Sequence, residues 1–176
     1  MTRSQLEHII RAAGTIADDT DIVVIGSQAI LGQFPDAPPN LLVSMEADVY
    51  PRNKPERSDL IDASIGEGSP FERTFGYYGY GVGPETAILP SGWEERLVLV
   101  ESSNTLGIRG WCLEVHDLTI SKLAAGRDKD LEFAAVAAGA GMADTHILRA
   151  RLARTPLRPE LEKAVVGRVS RLERGG

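Results

Sequence analysis

The sequence predicts an α+β fold: a mixed sheet of four or five strands with flanking helices, followed by a helical carboxyl-terminal part. Three observations predict it. A β-branched run, Ile-Val-Val-Ile at 22–25, reads as a buried strand, and residues 41–50 alternate polar and apolar side chains with a period of two. Beyond residue 116, helical spacing of apolar residues takes over, punctuated by Gly and Pro. A length of 176 residues, 43% apolar and 25% charged, fits one domain with a small helical appendage and excludes disordered and fibrous chains.

Leu6, Ile9, Ile10 and Ala13 recur at helical spacing, which predicts an amphipathic helix over 3–15 that the Asp18-Asp19-Thr20-Asp21 run ends. The strand at 22–25 stops at Gly26-Ser27, and 28–34 turns helical before a loop built by Pro35, Pro38 and Pro39. In the second strand, 41–50, Ser44, Glu46 and Asp48 point to one face while Met45, Ala47 and Val49 point to the other. Residues 57–65 predict a helix. The stretch 66–83 is rich in glycine and tyrosine (FGYYGYGVG) and is expected to hold a strand or a wide loop. Strands at 96–101 and 111–115 follow, and then helices at 116–126, 129–138, 144–154 and 159–173. There is no internal repeat and no low-complexity tract.

Composition narrows the chemistry. The lone Cys112 excludes an intramolecular disulfide, and with only His8, His116 and His146 no Cys/His set could build a zinc cage. The first residues are too polar for a secretory signal, and the longest apolar stretch, 22–31, is too short to span a bilayer. A cytoplasmic protein without a membrane partner is expected, its thiol reduced. The net charge of −6 is unevenly spread: from Arg149 onward eight Arg and Lys face three Glu, so this part carries +5 and the preceding part −11. A basic tail on an acidic body suits a solvated helix face or contact with nucleic acid or an acidic partner. GxGxxG, GxxxxGK[ST] and GxSxG are all absent, leaving dinucleotide, P-loop and nucleophile-elbow readings without support.

The most informative constellation is Gly26-Ser27 directly after a hydrophobic strand, followed by Glu46-Ala47-Asp48-Val49 on the next. Carboxylates two apart on a strand project from one face and offer hard oxygens of the kind Mg²⁺ takes alongside water and substrate phosphates. A glycine lets backbone approach a phosphate closely, and the serine adds an N–H and a hydroxyl at a helix start. Each feature also has a plainer reading, the first pair as a capped turn and the second as the wet face of a half-exposed strand. Glu114 is expected on the strand 111–115, alternating with Cys112 onto one face, and Glu101 at the end of the strand 96–101. Tyr77, Tyr78 and Tyr80 offer rings that pack on neighbours or stack on a base.

The order strand, Gly-Ser, helix, strand, (Asp/Glu)-x-Asp resembles the nucleotidyltransferase superfamily of the polymerase-β type. A second stretch, HDLTISKLAAGRDKD at 116–130, is similar to the AbiEii/MenT-like nucleotidyltransferase toxins. Together the two motifs span about residues 22–131. The resemblance implies a nucleotidyltransferase-like domain over 1–140, with 141–176 as its basic helical extension. It further implies that Gly26 and Ser27 hold the triphosphate and that Glu46, Asp48 and Glu114 bind Mg²⁺. Lys122 would neutralise phosphate charge, Arg127 and Lys129 would add phosphate contacts, and Asp130 would act on the acceptor or fix a cation. Glu46 stands where the family pattern usually has Asp. Read from the residues alone, Lys122 and Lys129 are seven apart and share a helical face, opposite Leu118, Leu123, Leu131 and Phe133.

The expected activity is therefore Mg²⁺-dependent transfer of a nucleotide from an NTP to an acceptor. The resemblance points to the 3′ end of tRNA as acceptor, with the basic carboxyl-terminal helices contacting RNA and a cognate antitoxin as partner. Two other readings share the fold. One is a catalytically weak or inactive binding module, kept open by Glu46. The other is a small-molecule nucleotidyltransferase, for instance one modifying an antibiotic, which the acidic body would suit.

Overall fold

The computed structural model describes residues 1–175, and the chain divides into two compact units. The first comprises Met1–Thr86 and Leu97–Leu113; the second comprises Ala87–Arg96 and the chain from Glu114 onward.

The first unit holds a five-stranded mixed sheet in the order β3-β2-β1-β5-β4. Its strands are β1 (Asp21–Val24), β2 (Glu46–Pro51), β3 (Tyr78–Gly81), β4 (Val98–Val100) and β5 (Arg109–Cys112). β1 runs antiparallel to β2 and parallel to β5; β2 is parallel to β3, and β4 antiparallel to β5. As a central strand β1 is buried along its whole length, which is why its sequence is a continuous β-branched run instead of an alternating one. Helix α1 (Arg3–Ala17) starts at a capping box formed by Thr2 and Gln5, and Leu6, Ile9, Ile10, Ala13 and Ala17 form its fully buried stripe. It ends two residues later than its apolar spacing suggests, at Asp18 in a left-handed conformation. After β1 a single 3-10 turn (Ser27–Ala29) leads into the short helix α2 (Ile30–Gln33), and α3 (Ser58–Ile65) follows β2.

The structure departs from the sequence pattern at the start of β2 and adds a helix before β3. The strand predicted from residue 41 begins only at Glu46: residues Pro39–Leu41 form a 3-10 turn, and the Met1 backbone nitrogen donates to the carbonyls of Leu42 and Ser44. The glycine- and tyrosine-rich stretch also contains a helix, α4 (Pro70–Phe75), with Ser69 as N-cap and a proline in its first turn. The glycines of β3 serve packing: a Cβ at Gly79 would lie 2.9 Å from side-chain atoms of Ile9 and Ile65, and one at Gly81 would lie 2.0 Å from the Ser58 carbonyl.

The second unit is helical: α5 (Val115–Ala125), α6 (Asp128–Gly139), α7 (Thr145–Leu152) and α8 (Pro159–Gly175). Leu118, Ile120, Leu123, Phe133, Leu148 and Val165 are among its buried side chains. Asp144 caps α7, accepting from the His146 and Ile147 N–H groups. Asp117 on α5 is fully buried and meets two guanidinium groups, Arg96 Nε at 2.7 Å and Arg151 Nε at 3.3 Å. Among the described residues no helix is long and apolar enough to cross a membrane.

Candidate active site

In the first unit the Gly-Ser turn and the β2 carboxylates come together through strand register. Val24 lies opposite Val49, and the next bond of the ladder runs from Ile25 N–H to the Asp48 carbonyl at 3.0 Å. That carries Gly26 onto the Asp48 side chain: a Cβ on Gly26 would stand 1.8 Å from Asp48 Oδ2. Only glycine fits, and the reason is the carboxylate, because the backbone of Gly26 itself is ordinary extended chain (φ −81°). Ser27 opens the following 3-10 turn and is partly exposed.

Alternation along β2 works as the pattern predicts, with Ala47 and Val49 buried and Glu46 and Asp48 half-buried on the other face. The parallel neighbour β3 sets Tyr78 beside Glu46 and Tyr80 beside Asp48. Tyr78 donates its hydroxyl to Glu46 Oε2 at 2.8 Å; burial first, then the Glu46 charge, raises the phenol pKa well above its ordinary value. Tyr80 is 43% exposed on the same face. Tyr77 instead points into a cluster with His8, Phe71 and Phe75, its hydroxyl 2.8 Å from His8 Nδ1, and so belongs to the packing.

Sequence reasoning missed Gln28, one residue past Ser27. Its side chain is fully buried and neither amide atom has a hydrogen-bond partner. Such a group costs roughly 1–3 kcal/mol by protein mutational data. A polar residue inside an apolar stretch was the available signal.

In the second unit the structure joins Lys122, Arg127 and Asp130. Asp130, 1% exposed, takes Lys122 Nζ at 3.2 Å on Oδ1 and Arg127 Nε at 2.6 Å on Oδ2. Burial would raise the carboxyl pKa, but the bonds to Arg127 and Lys122 outweigh it and hold it below the ordinary value. Gly126 makes the arrangement possible by ending α5 in the left-handed region (φ 70°), so that Arg127 starts a new helix. Lys122 and Lys129 therefore lie on two helices and share no face: Lys122 is buried, with Nζ 5.8 Å from the Phe133 ring centre, and Lys129 is exposed.

Glu114 is a further correction. β5 ends at Cys112, and Glu114 is the N-cap of α5, accepting from the His116 and Asp117 N–H groups. Its other oxygen pairs with His116 Nδ1, while His116 Nε2 accepts from the Asp144 N–H at 3.0 Å. Burial is outweighed by these bonds, and the Glu114 pKa is lowered. Lys122 is eight residues further along the same helix, about 12 Å at 1.5 Å per residue. Among the described residues no group of three or more His, Cys, Asp or Glu is arranged to hold a metal ion.

The basic tail is also partly engaged within its own unit. Arg149 pairs with Glu173, Arg151 with Asp117, and Arg168 donates to the Leu123 carbonyl. Arg154, Arg158 and Lys163 are exposed.

Residues 4–166 match the model of a family described as "Nucleotidyltransferase of unknown function (DUF6036)". No curated protein and no solved structure matches significantly.

Proposed function

The chain belongs to this DUF6036 nucleotidyltransferase family, and from that premise we propose that it transfers a nucleotide from an NTP to an acceptor with release of pyrophosphate. The observation that carries the site assignment is the seating of Gly26 against Asp48, which joins the Gly-Ser turn to the carboxylate face of β2. Glu46 and Asp48 supply hard oxygens from one strand face, a donor set that fits Mg²⁺, an ion that needs one or two carboxylates and completes its shell with water and phosphate. When bound, Mg²⁺ would neutralise the triphosphate and the departing pyrophosphate.

The protein's own residues then have distinct tasks in this reading. Gly26 and Ser27 present backbone and a hydroxyl to the triphosphate. Tyr78 fixes the orientation of Glu46 through its hydroxyl, and Tyr80 offers an exposed ring beside Asp48 on which a base can stack. Asp130 is a positioning residue: a carboxylate kept ionised by two cations is a poor proton acceptor, and it anchors Lys122 and Arg127. Arg127, held by Asp130, and the exposed Lys129 are the proposed phosphate contacts of these helices.

For the acceptor we propose RNA, specifically the 3′ end of tRNA, in a toxin countered by a cognate antitoxin. The likeness of residues 116–130 to the AbiEii/MenT-like toxins supports this, as does the net positive charge beyond residue 149. The exposed Arg154, Arg158 and Lys163 are the proposed phosphate contacts, and Arg151, tied to Asp117, is not. A catalytically weak binding module is favoured by one observation, the engagement of Glu46 by Tyr78.

The test incubates the purified protein with each α-labelled NTP, Mg²⁺ and total tRNA, beside Asp48→Ala and a parallel panel of aminoglycosides and other small polyols or amines. Label in RNA that is lost in Asp48→Ala supports the RNA reading and names the nucleotide. Label on a small molecule alone transfers the assignment to a small-molecule enzyme. No label anywhere from folded protein overturns the transferase reading in favour of the binding module.

A further inference from the structure

The second unit contains a feature that the transferase reading does not use. Helices α5, α6 and α8 line a half-open cavity of about 280 Å³ whose walls include Leu123, Leu131, Gly139 and Leu172. An apolar cavity of about 150 Å³ already admits a benzene ring. A Cβ at Gly139 would meet nothing within 4 Å, so the space reaches the α6 backbone itself. Arg168 and Arg171 also line it. Arg168 is held in place by its bond to the Leu123 carbonyl at the end of α5. Among the described residues neither arginine forms an ion pair with a carboxylate, unlike Arg96, Arg127, Arg149 and Arg151 of the same unit.

Apolar walls with uncompensated, partly oriented guanidinium charge complement one kind of guest. We propose that this cavity binds a small amphipathic carboxylate, an apolar body of medium-chain acyl or aryl size whose carboxylate faces Arg168 and Arg171. The apolar body would remove Leu123, Leu131 and Leu172 surface from water. The planar guanidinium fork matches a carboxylate in two-point geometry, which an ammonium or alcohol headgroup cannot reproduce. The proposal is independent of the nucleotide chemistry and concerns the second unit alone.

The experiment titrates the full chain with decanoate, decanol and decyltrimethylammonium, all below their micellar concentrations, by calorimetry. Decanoate is expected to bind saturably and at least about tenfold more tightly than the two tail-matched controls. Gly139→Leu fills the cavity at a position open to a side chain, in a helix that gains propensity from losing glycine, and should abolish binding without lowering the melting temperature. Arg171→Gln, at an exposed residue, should weaken decanoate about tenfold and leave decanol unchanged. Equal binding of all three tails, decanoate binding that survives Gly139→Leu, or no saturation by about 1 mM would overturn the proposal. So would a concentration-dependent dimer in sedimentation velocity that Gly139→Leu disperses, because a second copy of the chain would then be the occupant.

Discussion

The two units handle carboxylates in opposite ways. On β2, Glu46 and Asp48 stay half-exposed, and the Glu46 carboxylate accepts from a neutral phenol. On α5 and α6, Asp117 and Asp130 are buried to 0% and 1% exposure, and each meets two cations. An isolated charge could not survive that burial, and the flanking Lys and Arg are what permit it. A half-exposed carboxylate can exchange water for a cation; a buried carboxylate flanked by guanidinium and ammonium groups holds helices in place. The contrast sets a half-exposed carboxylate face in the first unit against buried, charge-compensated carboxylates in the second.

The strongest way to break that contrast is Asp48→Ala. Under the proposed transferase reading, loss of the Asp48 carboxylate is expected to reduce nucleotide transfer on the order of 10³-fold, read by the labelled-NTP assay on protein shown to be folded. Gly26→Ala should approach the same loss of transfer by a different route, since its Cβ has to displace the Asp48 carboxylate. A variant that keeps transfer while a Cβ occupies that place would remove the site from the Gly-Ser turn.

Asp130→Ala inverts the expectation. It leaves the Lys122 ammonium buried without its partner, and the cost is about 3 kcal/mol, the lower end for a broken buried pair because Arg127 can turn to water. Urea unfolding measures it. A cost equal to that of Asp48→Ala would mean that the two kinds of carboxylate are not different after all.

How much of this was legible in the sequence follows the range of the interactions. β1, α1, α3 and the four carboxyl-terminal helices are visible because apolar periodicity and caps are local signals. α4 is hidden by its six residues and its flanking glycines, too short for a period to show. The start of β2 was misplaced because its upstream carbonyls are bonded by Met1, a partner more than forty residues away in sequence. Glu46 and Asp48 could be placed on one face from alternation alone, yet the contact between Gly26 and Asp48 depends on the β1–β2 register, and the bond between Tyr78 and Glu46 on the β2–β3 register. Glu114 misled because Cys112 and Glu114 fit strand alternation, whereas the chain leaves the sheet between them and the carboxylate serves as a cap. The spacing of Lys122 and Lys129 misled for the same kind of reason, since Gly126 resets the helix.

Acid sharpens the comparison next. The folded pKa of Asp130 lies below the ordinary value of 3.8, so its ionised form contributes stability that is fully present above that value and is lost as pH falls through the folded pKa. The stability gap between the native chain and Asp130→Asn should thus be constant from neutral pH to about pH 5 and shrink below 3.8. Thermal melts of both proteins across that range check it; a gap that persists at full size in strong acid would show that shape, and not charge, is what Asp130 provides.

The smallest effect belongs to Gln28, and it has the opposite sign. Replacing this buried, unbonded amide by a side chain of similar length and no polar atoms, Gln28→Met, removes a desolvation penalty without opening a cavity. Stability should rise by about 1 kcal/mol, a value at the low end because the thioether does not match the amide's shape. The equivalent test in the second unit, Asp117→Leu, should instead be strongly destabilising, because Arg96 and Arg151 would lose their shared buried partner. If Gln28→Met were also destabilising, the amide would be bonded in solution, and the turn beside Gly26 and Ser27 would be as saturated as the helical unit.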